Sequence, residues 1–174
     1  RLFLARAAQA SHQVAPPSMS TPEDTEARLR RLCERFLGTV RHSIELGMKL
    51  EQTSTRDGVT VRMVHSERVV GNPWTGVVHG GPILALLDQT GGLAVACRLF
   101  PDYDITPTLD LRIDHLRRPE PGVDILAWAE CYRLTSNVAF VRGCAYQGDR
   151  ADPVSTYTAT YMRLGLNKSM VKNR

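Results

Sequence analysis

The apolar residues near the start of the 174-residue chain repeat with the period of an α-helix. From Leu29 to Leu37 they fall at the i, i+3, i+4, i+7 and i+8 positions of one buried stripe. Thr21 is suited to cap this helix and Pro22 to occupy its first position, while Gly38 is expected to end it. Charged residues, mostly arginines, occupy the other face and indicate that it is solvated. The stripe comprises Leu29, Leu32, Cys33, Phe36 and Leu37.

Beyond Leu46 the pattern becomes an alternation of apolar and polar residues, which is typical of strands that bury one face. Met48 and Leu50 lie in the first strand, and Asp57-Gly58 predicts a tight hairpin turn before the second. The later strand-like runs are separated by short segments rich in turn-forming residues, and such short connections favour antiparallel neighbours. These runs cover residues 108–114, 123–132, 138–146 and 154–162.

Residues 81–100 interrupt the strands with a run that is apolar nearly all round. A helix without a polar face is buried, and Asp88 and Gln89 near its middle argue against a membrane span. The prediction is an α+β fold in which a curved antiparallel sheet wraps a long central helix, with an additional N-terminal helix. No membrane partner is expected.

Charge and cysteine content limit the function classes. The chain has 22 Lys and Arg against 18 Asp and Glu, a net charge of +4, and a sequence pI of about 9.1. Five basic residues lie in the two ends, and without them 17 basic groups face 18 acidic ones, so no nucleic-acid partner is expected. The four cysteines lack paired spacing, which indicates reduced core thiols and a cytoplasmic protein. The five basic residues are Arg1, Arg6, Lys168, Lys172 and Arg174.

The pattern predicts a single domain at residues 21–165. Residues 1–20, rich in Ala, Ser, Gln and Pro, are interpreted as a disordered or non-native extension, and residues 166–174 as a flexible basic tail. Met19 is the hypothetical native start, and a targeting peptide over the first 18 residues is the competing interpretation.

Two features of the central helix carry candidate chemistry. Asp88 is a carboxylate in an apolar helix, where burial suits a general base or a nucleophile, and a structural Asp bonded to a strand hydroxyl or amide is the alternative. His79-Gly80-Gly81-Pro82 begins the helix, where free N–H groups can receive an oxyanion or a carbonyl oxygen. The alternative here is a tight strand-to-helix turn with a packed histidine.

The spacing of these two features predicts an assembly. Gly80 and Asp88 lie eight positions apart, which is about 12 Å along a helix axis. One chain therefore cannot bring both to the same carbonyl group, whereas a two-fold dimer with antiparallel central helices can. Gly91-Gly92, one turn beyond Asp88, would allow the close approach that such a dimer requires, and a core constraint on these glycines is the alternative.

The stretch NPWTGVVHGGPILALLDQTGGLA at residues 72–94, and the order of strands after it, resemble the hotdog-fold acyl-CoA thioesterases, in particular their phenylacetate-pathway (PaaI-type) branch. The resemblance implies hydrolysis of an acyl-CoA thioester to a carboxylic acid and free CoA. It assigns carbonyl polarisation to the Gly80 N–H, the nucleophile or base to Asp88, and placement of the attacking water to Thr108, with His79 and Gly81 completing the helix start. It also implies a homodimer or a dimer-of-dimers tetramer with the active site at the subunit interface.

Members of that family carry an Asn or Gln six residues before the histidine, where this chain has Pro73 with Asn72 one place earlier. A one-residue bulge would restore Asn72 to the site. Arg117 and Arg118 are candidates for binding the CoA phosphates, with a solvated strand end as the alternative. The histidines show no metal-ligand spacing, so neither a metal nor another cofactor is expected.

Two other functions of the same fold compete with hydrolysis. A non-catalytic acyl-CoA-binding or regulatory module is the main alternative, and the presence of Asp88, Gly80 and Thr108 together favours the enzyme. A hotdog dehydratase is disfavoured, because no Asp and His combination has hydratase spacing.

Overall fold

The structure is a computed structural model that describes residues 21–165, and the predictions made for residues 1–20 and 166–174 lie outside the described residues. Three helices, eight strands and one 3₁₀ turn follow one another along this part of the chain. In order they are α1 (Pro22–Thr39), α2 (Arg41–Glu45), β1 (Met48–Ser54), β2 (Gly58–Met63), the 3₁₀ turn (Glu67–Val69), β3 (Val70–Asn72), β4 (Val77–Val78), α3 (Gly80–Leu99), β5 (Thr108–His115), β6 (Ile125–Leu134), β7 (Val138–Tyr146) and β8 (Pro153–Met162).

Helix α1 begins as its sequence predicts. The Thr21 hydroxyl accepts from the Asp24 N–H at 3.2 Å, and the Asp24 carboxylate accepts from the Thr21 N–H, so the two residues form a capping box. The helix ends at Thr39, one residue beyond the expected stop. Its buried stripe packs on β1 and on α3, where the Cys33 and Cys97 sulfur atoms lie 3.9 Å apart.

Six strands form one antiparallel sheet in the order β1-β2-β6-β7-β8-β5, which confirms the predicted sheet. Strand β6 occupies 125–134 instead of 123–132, because Gly122 turns with a positive φ and the Asp124 carboxylate accepts the His65 N–H at 2.8 Å instead of starting a strand. Helix α2 and the two-stranded sheet of β3 and β4 were not predicted, since they are too short to show a period.

Helix α3 lies across this sheet and packs mainly on β2, β6 and β7, so the long central helix of the predicted hotdog architecture is confirmed. The prediction that α3 is buried on every side is wrong for the single chain. Leu84 is 50% exposed, and Asp88 and Gly92, one and two turns further on, are only partly buried. These three positions fall on one stripe, so α3 keeps an uncovered face that runs past the candidate acid.

Strand β5 is the edge of the sheet next to that stripe. Only Leu111 and Ile113 among its residues are partly buried, while Leu109 is 50% exposed. An edge strand offers unpaired N–H and C=O groups on its outer side. The central helix and the strand after it therefore both present surface that the single chain leaves uncovered.

Candidate active site

The start of α3 is held by its own histidine and by the 3₁₀ turn that precedes β3. The His79 N–H donates to the Val69 carbonyl at 2.8 Å, and its ring Nδ1 accepts from the Gly81 N–H at 3.0 Å. Gly71 is needed beside this ring, because a Cβ there would lie 2.8 Å from the His79 Cβ. His79 thus acts as the N-cap of the helix, a role that leaves it exposed.

Of the two glycines at this helix start, only one keeps a free donor. The Gly81 N–H is occupied by the His79 ring, whereas the Gly80 N–H has no acceptor within residues 21–165. Gly80 is itself exposed. The positive end of the helix dipole and this unused N–H make the first residue of α3 the candidate carbonyl site.

Asp88 lies on the third turn of α3 and is fixed by the strand that follows. The Thr108 hydroxyl donates to the Asp88 Oδ1 at 2.6 Å, a short charge-assisted hydrogen bond. Thr108 is the first residue of β5, and it is exposed, while Asp88 is partly buried. The structure therefore brings together the two side chains that the sequence assigned to acid and water placement.

Tyr161 is a further partner of Asp88 that the sequence analysis missed. Its hydroxyl donates to the Asp88 backbone carbonyl at 2.9 Å and lies 3.4 Å from the Asp88 Oδ1. The ring is buried under α3, and burial raises the pKa of the Tyr161 hydroxyl above its ordinary value, with further increases from Tyr157 and Asp88. No periodicity singles out this residue, since it continues the ordinary inward alternation of β8.

Gly91 makes this contact sterically possible. A Cβ at position 91 would overlap the Tyr161 hydroxyl and would lie 2.8 Å from its Cζ and 3.0 Å from the Tyr157 hydroxyl. At Gly91 the structure therefore supports the alternative, a core constraint, because this chain's own sheet fills the space. Gly92 differs, because a Cβ there would meet nothing within 4 Å.

The two halves of the candidate site are separated on one chain. The eight residue steps from Gly80 to Asp88 correspond to about 12 Å along the helix axis. The residue of β5 nearest to Gly80 is His115, whose Nε2 lies 3.6 Å from the position that a Cβ on Gly80 would take. One end of β5 thus reaches the acid through Thr108, and the other end reaches the helix start.

The remaining predicted residues have other partners. The Asn72 Oδ1 accepts from the Trp74 N–H at 3.0 Å within a turn, so this oxygen serves the backbone. The Arg117 guanidinium lies 3.1 Å from the Asp152 carboxylate and donates to the Asp152 carbonyl. Arg118 is exposed and makes no ion pair within the described residues, so it is the freer cation of the pair.

The described part of the chain has neither a metal-binding cluster nor a helix suited to span a membrane. Residues 21–165 hold no group of three or more His, Cys, Asp or Glu side chains arranged to bind a metal ion. In the same range, no helix combines the length and the apolar character that crossing a membrane requires.

Similarity to known proteins identifies the family of this chain. Residues 75–154 match the family model of the thioesterase superfamily. A Halobacterium salinarum protein named "Putative esterase" is 33% identical over 117 residues, which cover 66% of this chain and 76% of that protein. The chain therefore belongs to the thioesterase superfamily, and it is a thioester hydrolase.

Solved structures agree with this assignment. A Pseudomonas aeruginosa protein is 45% identical, with a TM-score of 0.72, and the match covers 78% of this chain and 99% of that one. A Shewanella oneidensis protein related to the thioesterase superfamily is 26% identical, with a TM-score of 0.69, covering 82% of this chain and 99% of the other. The predicted hotdog fold and hydrolase class are thus confirmed.

Proposed function

We propose that the protein hydrolyses acyl-CoA thioesters to a carboxylic acid and free CoA, with Asp88 as the nucleophile or general base and the Gly80 N–H of a second subunit as the carbonyl donor. The observation that carries this proposal is the Asp88 carboxylate held at 2.6 Å by the Thr108 hydroxyl. A bond to a strand hydroxyl also fits the structural alternative for Asp88, but Asp88 is only partly buried, and a fixed carboxylate that keeps access to solvent fits hydrolysis better than passive binding.

The reaction needs a donor for the carbonyl oxygen and a group that activates water. The Gly80 N–H polarises the carbonyl and stabilises the developing oxyanion, a contribution of about 3–4 kcal/mol in comparable sites. With Asp88 as base, the carboxylate takes a proton from water, the water oxygen bonds to the carbonyl carbon, and the C–S bond breaks. CoA leaves as a thiolate that takes up the proton, and the acid is released.

Two copies are needed because one chain separates the donor from the acid by about 12 Å. An antiparallel crossing of two α3 helices near Leu84 sets the Gly80 of one copy beside the Asp88 of the other. The exposed Leu84 and the uncovered β5 edge support this arrangement, since burying both removes apolar surface and unpaired backbone from water. A dimer of such dimers is compatible with the same site.

Acyl-CoA is the proposed substrate class. A Streptococcus mutans protein of the same fold, with 21% identity and a TM-score of 0.57, was crystallised bound to acetyl CoA. The PaaI-type branch is likewise a proposal, supported by the fold of the phenylacetic acid degradation protein PaaI from Thermus thermophilus, which is 24% identical with a TM-score of 0.58. Arg118, free of ion pairs within the described residues, is the proposed contact for the CoA phosphates, with Arg117 and Gly81 beside the substrate.

The first test is a thiol-release assay with short, medium, long and aromatic acyl-CoAs, run on the wild type and on Asp88→Asn. The wild type is expected to hydrolyse members of this panel, and Asp88→Asn is expected to lose at least about 1000-fold in kcat. Unchanged hydrolysis by Asp88→Asn would refute the role of Asp88. A wild type that binds acyl-CoA and hydrolyses no thioester would refute the activity.

A second test addresses the carbonyl donor. Gly80→Pro removes the N–H at the first helical position, where proline is well tolerated, and His79 already has the extended backbone that precedes a proline. Gly80→Ala is the matched control, because it keeps the N–H and its Cβ would make only an ordinary 3.6 Å contact with His115. Gly80→Pro is expected to lose far more activity than Gly80→Ala.

Mixing the two inactive variants tests the shared site. In a hybrid dimer of Asp88→Asn and Gly80→Pro, one of the two sites combines an intact Asp88 with an intact Gly80 from the other copy. Random exchange should then restore about a quarter of the wild-type activity. A mixture that exchanges subunits and stays inactive would refute a site that combines Gly80 and Asp88 from two copies.

A further inference from the structure

His115 occupies a position at the helix start that the proposed reaction does not yet use. It is the last residue of β5 and pairs in register with Ser155 on β8. The His115 Nδ1 lies 2.8 Å from the Ser155 Oγ, and Ser155 is fully buried. The ring is therefore oriented from below by a side chain that cannot move into solvent.

The other ring nitrogen points to the candidate carbonyl site. The His115 Nε2 lies 3.6 Å from the position of a Cβ on Gly80, and its Cε1 lies 3.9 Å from it. Nε2 has no hydrogen-bond partner within residues 21–165, and His115 is exposed. A group that binds to the Gly80 N–H from solvent therefore comes within reach of this nitrogen.

We propose that the His115 Nε2–H is a second hydrogen-bond donor to the thioester carbonyl, acting together with the Gly80 N–H, and that Ser155 positions the imidazole for this role. The inference rests on the proposed thioesterase activity. A carbonyl oxygen has two lone pairs, and the helix start supplies one backbone donor, because the Gly81 N–H is occupied by His79. His115 supplies the donor for the second lone pair.

The hydrogen bond between Ser155 and His115 is compatible with the tautomer that this role requires. When the Ser155 hydroxyl donates to Nδ1, the proton of the neutral imidazole sits on Nε2 and faces the Gly80 side. The buried Ser155 hydroxyl has no other partner within the described residues, so this donation also satisfies it. Ser155 is thus a positioning residue, and His115 touches the substrate.

The position of His115 at the end of β5 also fits the proposed site that two subunits share. Antiparallel pairing of β5 with a second β5, centred between Leu111 and Arg112, sets Thr108 of one copy opposite His115 of the other. The carbonyl donors Gly80 and His115 then come from one copy, while Asp88 and Thr108 come from the other. Each end of β5 contributes to a different site of the same dimer.

The experiment measures kcat and KM with an acyl-CoA that the wild type hydrolyses, for His115→Phe, His115→Gln and Ser155→Ala. Loss of one oxyanion donor costs about 100-fold or more in kcat, so His115→Phe is expected to show that loss with a KM within about threefold of wild type. His115→Gln retains an N–H and should recover at least about tenfold over His115→Phe. Ser155→Ala should lose about tenfold in kcat, because the ring keeps its donor and loses its orientation.

His42→Gln is the control, since this exposed histidine lies on α2 outside the site. Three results would overturn the inference: a His115→Phe kcat within about twofold of wild type, a raised KM at unchanged kcat, or a loss that disappears with thiophenyl thioesters. The last result would mean that His115 protonates the departing thiolate, since thiophenolate leaves readily without a proton.

A second set of variants applies if His115→Phe does not fold. A His115→Gln kcat equal to that of the wild type, together with a loss of about tenfold in Ser155→Ala, then supports the inference. Equal kcat in wild type and Ser155→Ala overturns it.

The outcomes separate this inference from the proposed function. Activity that survives in Asp88→Asn, or a wild type without thioesterase activity, refutes the function itself. An active wild type that needs Asp88 and is indifferent to His115 refutes only the second donor.

Discussion

Replacing Gly91 by alanine should damage the protein although alanine is the better helix former. A Cβ at this position would overlap the Tyr161 hydroxyl and would lie 2.8 Å from the Tyr161 Cζ and 3.0 Å from the Tyr157 hydroxyl. Tyr161 is 1% exposed and Tyr157 is 3% exposed, so neither ring has free space to move into. The neighbouring Gly92→Ala is the matched control within the single chain, because its Cβ would meet nothing within 4 Å there, and a cost at this position would come from a second copy packed on the same stripe.

Both substitutions improve helix propensity, but their effects on the free energy of unfolding are expected to differ. Alanine gains about 1 kcal/mol over glycine in a helix interior. At position 91 this gain is offset by overpacking of about 1–3 kcal/mol and by loss of the Tyr161 hydrogen bond to the Asp88 carbonyl, about 1 kcal/mol. The free energy of unfolding should therefore fall by about 1–3 kcal/mol in Gly91→Ala and stay level or rise by up to about 1 kcal/mol in Gly92→Ala.

Urea unfolding of both variants, together with kcat on one acyl-CoA, checks this reasoning. Gly91→Ala should also lower kcat, because displacing Tyr161 removes its hydrogen bonds to Asp88. The loss of stability caused by Gly91→Ala should be smaller in a Tyr161→Phe background, where the overlapping oxygen is absent. Gly91→Ala as stable as Gly92→Ala would show that the tyrosines do not fill the space above this glycine. An unchanged cost in the Tyr161→Phe background would assign the clash to another group.

Two further predictions follow from the same contacts. Thr108→Val removes the hydroxyl that donates to Asp88 and should lower kcat about 10- to 100-fold. Thr108→Ser keeps a hydroxyl, and its kcat should stay within about tenfold of the wild type. Equal kcat values for the two variants would contradict the role of this hydrogen bond. Burial raises the pKa of Tyr157 well above its ordinary value near 10 and raises that of Tyr161 as well, so above pH 10 the unfolded chain loses these protons first. The stability that these two protons contribute is fully present below pH 10 and should fall above it by about 1.4 kcal/mol per pH unit for each tyrosine. Tyr157→Phe should therefore make the slope in urea unfolding at pH 10–11 shallower by up to about 1.4 kcal/mol per pH unit, and the raised pKa values of Cys97, Cys131, Cys144 and Tyr146 contribute to the slope that both proteins share.

Much of the fold follows from local pattern. The stripe from Leu29 to Leu37 and the Thr21 cap are properties of neighbouring residues, so α1 was predicted to within one residue of its end. The long strands were predicted for the same reason, since each shows several alternations. Helix α2 and strands β3 and β4 have between two and five residues, which is too few to show a period.

The candidate site was predicted only in part. Asp88 and Gly80 stand out because a carboxylate in an apolar helix and a glycine at a helix start are unusual locally. Thr108 came from the family resemblance, and its hydroxyl reaches Asp88 across 20 residues of chain. His115 and Tyr161 were not predicted, because each looks like an ordinary strand residue until the sheet sets it against α3.

The sequence by itself determined the two long helices, the six long strands and their antiparallel sheet, the unusual acid and the distance between Gly80 and Asp88. These depend on the period of side-chain burial and on fixed helix geometry, which are local properties. Only the tertiary structure decided that Tyr161 fills the space at Gly91, that the Gly81 N–H is already occupied, and that His115 faces Gly80. Such contacts join residues distant in sequence, and they depend on how strands and helix are packed, which no local pattern encodes.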